Sequence, residues 1–340
     1  MVGTQEISDP RADQRIRSRA AWLSLVVAIV LLGAKSFAWW QTHSTAVLSD
    51  ALESIVNVVA AMLAILGVYV AGLPADRNHP YGHGKVEFLA AAFEGGMIAF
   101  AALLIVWEAA QALWSGTELK SIDLGLWIIA AAGFFNLLLS VYLIRIGQQH
   151  HSPTLVADGK HVRSDFITSL GVVLGLLLVR ITGLPWLDPM VAILVALLLL
   201  RTGAQLVREA AGGLLDEADP LLVKVLVAVL DKRLSGGVIR VHQLRAIRAG
   251  RLVHVNAHLV VPEFLSVDES HTLADELAAS VQSELDRETD ITFHADPCHR
   301  RYCAMCDVAA CTVRVSPFVA RQPLSIDEVV QPDHRPRRPD

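Results

Sequence analysis

The order of apolar and polar positions divides the chain into two unlike parts. Six long apolar runs occupy residues 20–40, 45–73, 86–114, 124–146, 155–181 and 184–207. Each can span a bilayer as a helix, since ~20 apolar residues at ~1.5 Å rise cross the hydrocarbon core. The connections alternate in character. Residues 41–44, 115–123 and 182–183 carry little basic charge, whereas the N-terminal stretch, 75–85, 145–163 and the segment after Arg208 hold the Arg, the Lys and most of the His. Because Lys and Arg concentrate on cytoplasmic loops, the pattern predicts six crossings of the cell (inner) membrane with both termini cytoplasmic. The first run is long enough to be retained, so no cleavable signal peptide is expected.

From Asp216 the pattern becomes that of a water-soluble α/β domain. A helix is predicted over 221–234, and two strands over 238–249 and 252–261, joined by a turn at Ala249-Gly250-Arg251. An amphipathic helix over 267–287 and a third strand over 290–294 complete an αββαβ order, a small open-faced sandwich. The expected divisions are a cytoplasmic tail (1–19), a membrane domain (20–212), a soluble domain (213–297) and a Cys-rich, then disordered, tail (298–340). Composition agrees with this partition: 53% of residues are hydrophobic, the mean hydropathy is +0.46, and the excess is confined to the first part. The net charge of -5, with no massed basic patch, points away from nucleic acid as a partner.

Polar residues inside the apolar runs carry the chemistry. In the second run, Asp50 and Ser54 share a helix face, with Glu53 and Asn57 beside them. In the fifth, His161 and Asp165 are again four apart. The two helices enter from opposite sides, which places both sets ~9–15 Å deep in a ~30 Å core. Intramembrane ionisable groups mark ion pathways, and two matched pairs at one depth suit a metal ion better than a structural hydrogen-bond network. In the first cytoplasmic loop, Asp76, His79 and His83 offer one carboxylate and two imidazoles within eight residues, either a cation site or a solvated turn. The soluble domain has His254 and His258 on a strand, His271 near a helix start, and His294 and Asp296 at a strand end. All four cysteines, Cys298, Cys303, Cys306 and Cys311, fall within fourteen residues, a spacing that suits a tetrahedral ion such as Zn²⁺ better than a secreted disulfide framework.

These residues together resemble the cation diffusion facilitator transporters over about residues 16–298. The resemblance rests on 44–54 in the second helix, on Asn78-His79-Pro80-Tyr81-Gly82-His83-Gly84-Lys85, on His161 and Asp165, and on His294-Ala295-Asp296-Pro297-Cys298. It implies a homodimer with six transmembrane helices per protomer and a cytoplasmic ferredoxin-like domain. It also implies export of Zn²⁺, or of Fe²⁺, Mn²⁺, Co²⁺ or Ni²⁺, from the cytoplasm in exchange for protons. The implied transport site is Asp50, Ser54, His161 and Asp165. Many zinc-transporting members carry a second carboxylate where this chain has Ser54, so the fourth ligand is Ser54, Glu53, Asn57 or water. Asp76, His79 and His83 match a loop-borne second site. His258, His271, His294 and Asp296 match a dinuclear site of the soluble domain. Lys85 and Asp216 match an ion pair tying the two domains together, and the four-Cys tail lies outside the pattern. The alternative class is a membrane sensor that binds metal without moving it. No HExxH pair and no Gly-rich phosphate loop point to an enzyme or an ATP-driven pump.

Overall fold

The computed structural model describes residues 10–42, 45–115, 124–184, 186–234, 236–285 and 288–331. It forms two compact units, Met1–Leu215 and Asp216–Asp340. The first contains α1 (Pro10–Thr42), α2 (Thr45–Ala71), α3 (Val86–Ser115), α4 (Leu124–Gln149), α5 (Pro153–Thr182) and α6 (Leu187–Leu214). Each of these six carries a segment of 18 to 29 residues long and apolar enough to cross a membrane. The burial pattern is that of a membrane protein. Val30, Phe100, Trp107 and Leu194 are exposed while Ser24, Lys35, Ser54, Glu94, Asn136, Asp158, His161 and Asp165 are buried. Apolar side chains face outward because lipid solvates them; polar ones turn inward to find partners.

Close helix contacts run through small residues. α3 packs most extensively on α6, and α4 on α5. A Cβ added at Gly203 would stand 2.7 Å from the Gly95 carbonyl oxygen and 2.8 Å from the Ala99 nitrogen. One at Gly159 would meet the Ile144 nitrogen at 2.9 Å, so α5 is seated against α4 beside Asp158 and His161. Lipid offers no hydrophobic drive between helices, so backbone approach at such positions supplies the van der Waals contact.

α1 begins ten residues before the predicted apolar run, so half of the expected N-terminal tail is helix. The reason is a bonded polar cluster. Arg17 is fully buried; it donates from Nη1 to Glu87 Oε1 at 2.7 Å and from Nη2 to Gln14 Oε1 at 2.6 Å. Ser152, the N-cap of α5, donates to the other Glu87 oxygen. Gln14 Nε2 donates to the Val68 carbonyl at 2.8 Å, and His150 pairs with Asp13. Residues that look solvated in sequence are thus fixed between α1, α2, α3 and the start of α5.

The second unit runs α7 (Pro220–Lys232), β1 (Arg240–Ala249), β2 (Leu252–Val261), α8 (Val267–Glu284), β3 (Thr289–Pro297) and α9 (Ile326–Val330). β2 is central, antiparallel to β1 and parallel to β3. Its alternate residues Val253, Val255, Ala257, Leu259 and Val261 join Leu226 and Leu230 of α7 and Leu277 and Val281 of α8 in the core. Capping agrees with the helix starts: Asp219 caps α7, and Ser266 with Glu269 forms a capping box on α8.

The residues after Pro317, expected to be disordered, are ordered as far as 331. Arg240, buried, makes a bidentate pair with Glu328 of α9 and reaches the Gln322 and Pro323 carbonyls. Asp231 accepts from Leu324 N at 2.7 Å, and Leu324 and Val329 enter the core.

Gly203→Ala should destabilise the α3–α6 contact by about 1–3 kcal/mol through overpacking against backbone. Gly33→Ala, where nothing lies within 4 Å, should not destabilise. Thermal unfolding of the detergent-solubilised protein compares the two.

Candidate functional site

In the membrane unit the polar faces of α2 and α5 meet through Asn57. Its Nδ2 donates to Asp165 Oδ2 at 2.5 Å, and its Oδ1 lies 3.1 Å from His161 Nε2. The amide can serve both only if the imidazole donates from Nε2, which leaves Nδ1 as the lone-pair nitrogen. That Nδ1 is buried with no hydrogen-bond partner among the described residues. Ser54 is buried one turn before Asn57, and the two line a small polar cavity with Ser24, Lys35 and Asn136. Asp50 and Glu53 lie on α2, but their side chains are outside the described ones.

Two further carboxylates, not singled out from the sequence, belong to this region. Asp158, one turn before His161, bonds Ser24 and acts electrostatically on the His161 ring. Glu94 of α3 feels the Asp158 charge, and both of its oxygens are buried without a hydrogen-bond donor among the described residues, as is Asp158 Oδ2. Lys35 of α1 is also buried nearby, at the shared cavity. Asp158 opens the polar stretch that holds His161 and Asp165, whereas Glu94 and Lys35 each sit singly in an apolar run, where periodicity gives no hint of a polar partner.

The loop between α2 and α3 brings Asp76, His79 and His83 together, with one donor atom from each within 4.8 Å of the others. Asp76 Oδ1 accepts from the backbone nitrogens of Asn78 at 2.8 Å and His79 at 2.7 Å. These bonds, then the nearby imidazoles, hold the Asp76 carboxyl below its ordinary pKa. The His79 and His83 ring centroids are 4.4 Å apart.

In the soluble unit, strand register assembles a second donor group. His242 pairs with His258 across β1 and β2, and His258 with His294 across β2 and β3, so three imidazoles lie in a row. Asp296, two residues beyond His294 on the same face, is buried among them. Its Oδ2 lies 3.0 Å from His258 Nδ1 and 3.1 Å from His242 Nε2, and its Oδ1 3.6 Å from His294 Nε2. One donor atom from each of His242, His258 and Asp296 lies within 4.8 Å of the others. His242 was missed because a bulge follows it, with Gln243 at φ 52°, and breaks the alternation that would place it on this face. His271, expected as a ligand, instead stands 3.4 Å from Asp275 on its own exposed helix face. The register seats His242, on the neighbouring strand, beside Asp296 instead. His254 pairs with Asp290 at the other end of the sheet. Lys85 lies just before α3 in the first unit, and Asp216, at φ 59°, opens the second.

Six apolar helices holding buried imidazole, carboxylate and amide donors, followed by a soluble domain with its own donor cluster, define a membrane protein that handles cations. Comparison with known proteins agrees. Residues 21–215 match the cation efflux transmembrane domain, and 223–298 the cation efflux protein cytoplasmic domain. An uncharacterized transporter of Synechocystis sp. is 34% identical over 83% of this chain and 91% of its own length. The cation-efflux pump FieF of Pectobacterium atrosepticum is 29% identical over 83% and 93%, and the magnetosome protein MamB of Magnetospira sp. 27% identical over 84% and 97%. The chain belongs to the cation diffusion facilitator family. It is a multi-pass membrane exporter of divalent metal ions, a transporter and not an enzyme, and its second unit is the family's cytoplasmic dimerisation domain.

The lowered pKa of Asp76 sets the sign of its pH dependence. The ionised carboxylate is present throughout the ordinary carboxylate range and is lost only as pH falls through the lower folded value. A carboxyl-carbon NMR titration should therefore place the Asp76 midpoint below that of an unstructured Asp. An ordinary midpoint would contradict the bonds from Asn78 and His79.

Proposed function

We propose that the chain is a proton-coupled antiporter that exports Zn²⁺, ahead of Fe²⁺, Mn²⁺, Co²⁺ or Ni²⁺, from the cytoplasm as a homodimer in the inner membrane, both termini cytoplasmic. The observation that carries this reading is the contact of Asn57 with both His161 and Asp165 inside an apolar bundle. A mixed imidazole and carboxylate set suits a borderline, tetrahedral ion.

In this reading Asp50, His161 and Asp165 supply ligands, and Ser54, Asn57, Glu53 or water completes the shell. Two carboxylates balance a divalent charge, so the loaded site leaves no large uncompensated charge in the membrane. Loading requires deprotonated ligands and therefore releases protons; protonation favours release. His161 and Asp165 form the proton-coupled half. Asn57 orients both, holding His161 by Nε2 so that Nδ1 keeps its lone pair for the ion. Asp158 and Glu94 are the next carboxylates towards the start of α5, along the route to the loop that carries Asp76, His79 and His83. That loop gathers the cation. In the soluble domain His258, His294 and Asp296, with His242, bind metal and bias the dimer towards transport. His271 lies on the exposed face of α8.

Reconstitution into liposomes with a pH-sensitive dye and a metal reporter tests this. Wild type should move Zn²⁺ against protons. Asp165→Ala should abolish flux while dimerisation persists. Asn57→Ala should weaken metal affinity about 10–100-fold, as expected on removing a group that orients ligands. Zinc binding without flux in wild type would replace the antiporter by a metal sensor.

A further inference from the structure

Beyond the sites above, one group of donors is absorbed by none of them. We propose that Cys298, Cys303, Cys306 and Cys311 form a four-thiolate site for a zinc-class cation, which fastens the C-terminal extension to the outer face of the sheet. This site is separate from the transport path and from the imidazole cluster.

Four observations lead here. First, these are all the cysteines of the chain, every one a free thiol, and they occupy fourteen residues. Second, the thiols share one neighbourhood. Cys306 is buried with Ile239 and Val260, and Cys298 packs on the same cluster together with Tyr302 and Val308. Cys298 interacts electrostatically with both Cys306 and Cys311, and Arg300 with both Cys298 and Cys303. Cys303 and Cys306 are only 8% and 7% exposed, an unusual degree of burial for a segment with one short 3-10 turn.

Third, the loop is curled by a purpose-placed guanidinium. Arg314 donates to the carbonyls of Cys303 at 3.0 Å, Cys306 at 3.0 Å and Val308 at 2.6 Å. Val319 N closes the loop further onto the Ala304 carbonyl at 2.7 Å. A positive group bonded to the Cys303 and Cys306 backbone would also offset part of the net negative charge of a thiolate-ligated divalent ion. Fourth, the stretch between β3 and α9 has no strand and little apolar packing of its own, yet its far end is anchored in the core through Leu324 and Val329. Structureless connections longer than ~12–15 residues in a compact domain are usually functional, and small modules short of core are held by metals or disulfides.

The thiols are not among the groups whose donor atoms already lie within 4.8 Å of one another. Coordination therefore draws the turn inward around the ion, starting from Cys298, which is held at the end of β3 by its backbone bond to Val261 O at 2.8 Å. Thiolates select soft and borderline cations such as Zn²⁺, and a fully occupied tetrahedral shell leaves no position open for substrate or water. The site is structural. It caps the sheet face beside Asp296, whose register partner is the Val260 that Cys306 covers.

The test uses the full-length protein, chelator-stripped under reducing conditions and titrated with Co²⁺. Sulfur-to-cobalt charge-transfer absorption should appear, be displaced by Zn²⁺, persist in His258→Ala, and vanish when all four cysteines are replaced by Ser. In wild type, Zn²⁺ should protect the four thiols from a thiol reagent. Because the quadruple variant can lose local structure, Cys311→Ser, which leaves the buried pair in place, is measured beside it and should give a weaker band. Absent charge-transfer absorption, absorption that survives the quadruple replacement, a full-strength band in Cys311→Ser, or thiols recovered as disulfides would overturn the proposal. The assay reads metal and thiols, not flux, so its failure leaves the antiporter reading standing, and failed transport leaves this site standing.

Discussion

An ionised group inside an apolar helix bundle needs an opposite charge, a full set of hydrogen bonds or a bound ion. Two of these solutions meet on the same helices here. At one end of α3 and α5, Glu87 is closed off by Arg17, Ser152 and the start of α5. Two helical turns along α3, Glu94 has no hydrogen-bond donor among the described residues, and along α5 the face Thr154, Asp158, His161, Asp165 carries a polar group at nearly every turn. The closed end is structural. The open middle holds oxygens and a nitrogen without partners among the described residues, where a cation or protons can bind. A bundle built for stability alone would have extended the first arrangement or replaced the second with apolar side chains, which is often neutral or stabilising.

The soluble domain solves its own version of the problem through register. A one-residue slip of β1 or β3 against β2 would move His242 or His294 to the core face and leave Asp296 without its imidazoles. The core on the opposite face therefore specifies the donor cluster, because Val253, Val255, Ala257, Leu259 and Val261 can be buried in only one register. The bulge after His242 lets β1 carry an imidazole on the outer face and still return to the core at Leu244 and Ala246.

What could be read from sequence follows the range of the interactions involved. Apolar runs and capping signals are local, so six helices and the αββαβ order were legible, as was the Asp76, His79 and His83 loop. Asn57, His161 and Asp165 were legible as polar intrusions, but the bridge made by Asn57 depends on how two helices rotate against each other. The first turns of α1 looked solvated because the partners of Arg17 and Asp13 lie 70 and 137 residues away. The segment after Pro317 looked disordered because its composition is polar, and what holds it is distant in sequence: Leu324 and Val329 in the core, Glu328 on Arg240 and Leu324 N on Asp231. Glu94 and Lys35 carried no local signal, since a lone charge in an apolar run says that a partner exists and not which one.

The donor sets also differ in kind, and this bears on how one chain can carry an ion without trapping it. The loop set is largely exposed, with Asp76 and His79 each more than half accessible, so water competes for those two ligands. The buried set around Asn57 takes an ion out of water in exchange for a few protein donors, so binding there gains only the difference. That difference is what protonation can reverse, because a proton on Asp165 or His161 competes for the same lone pairs. Thiolates must shed protons as well, but four soft donors that close every position of a tetrahedral shell suit a fixed cap on the soluble domain and would be a poor choice along the path of the cargo.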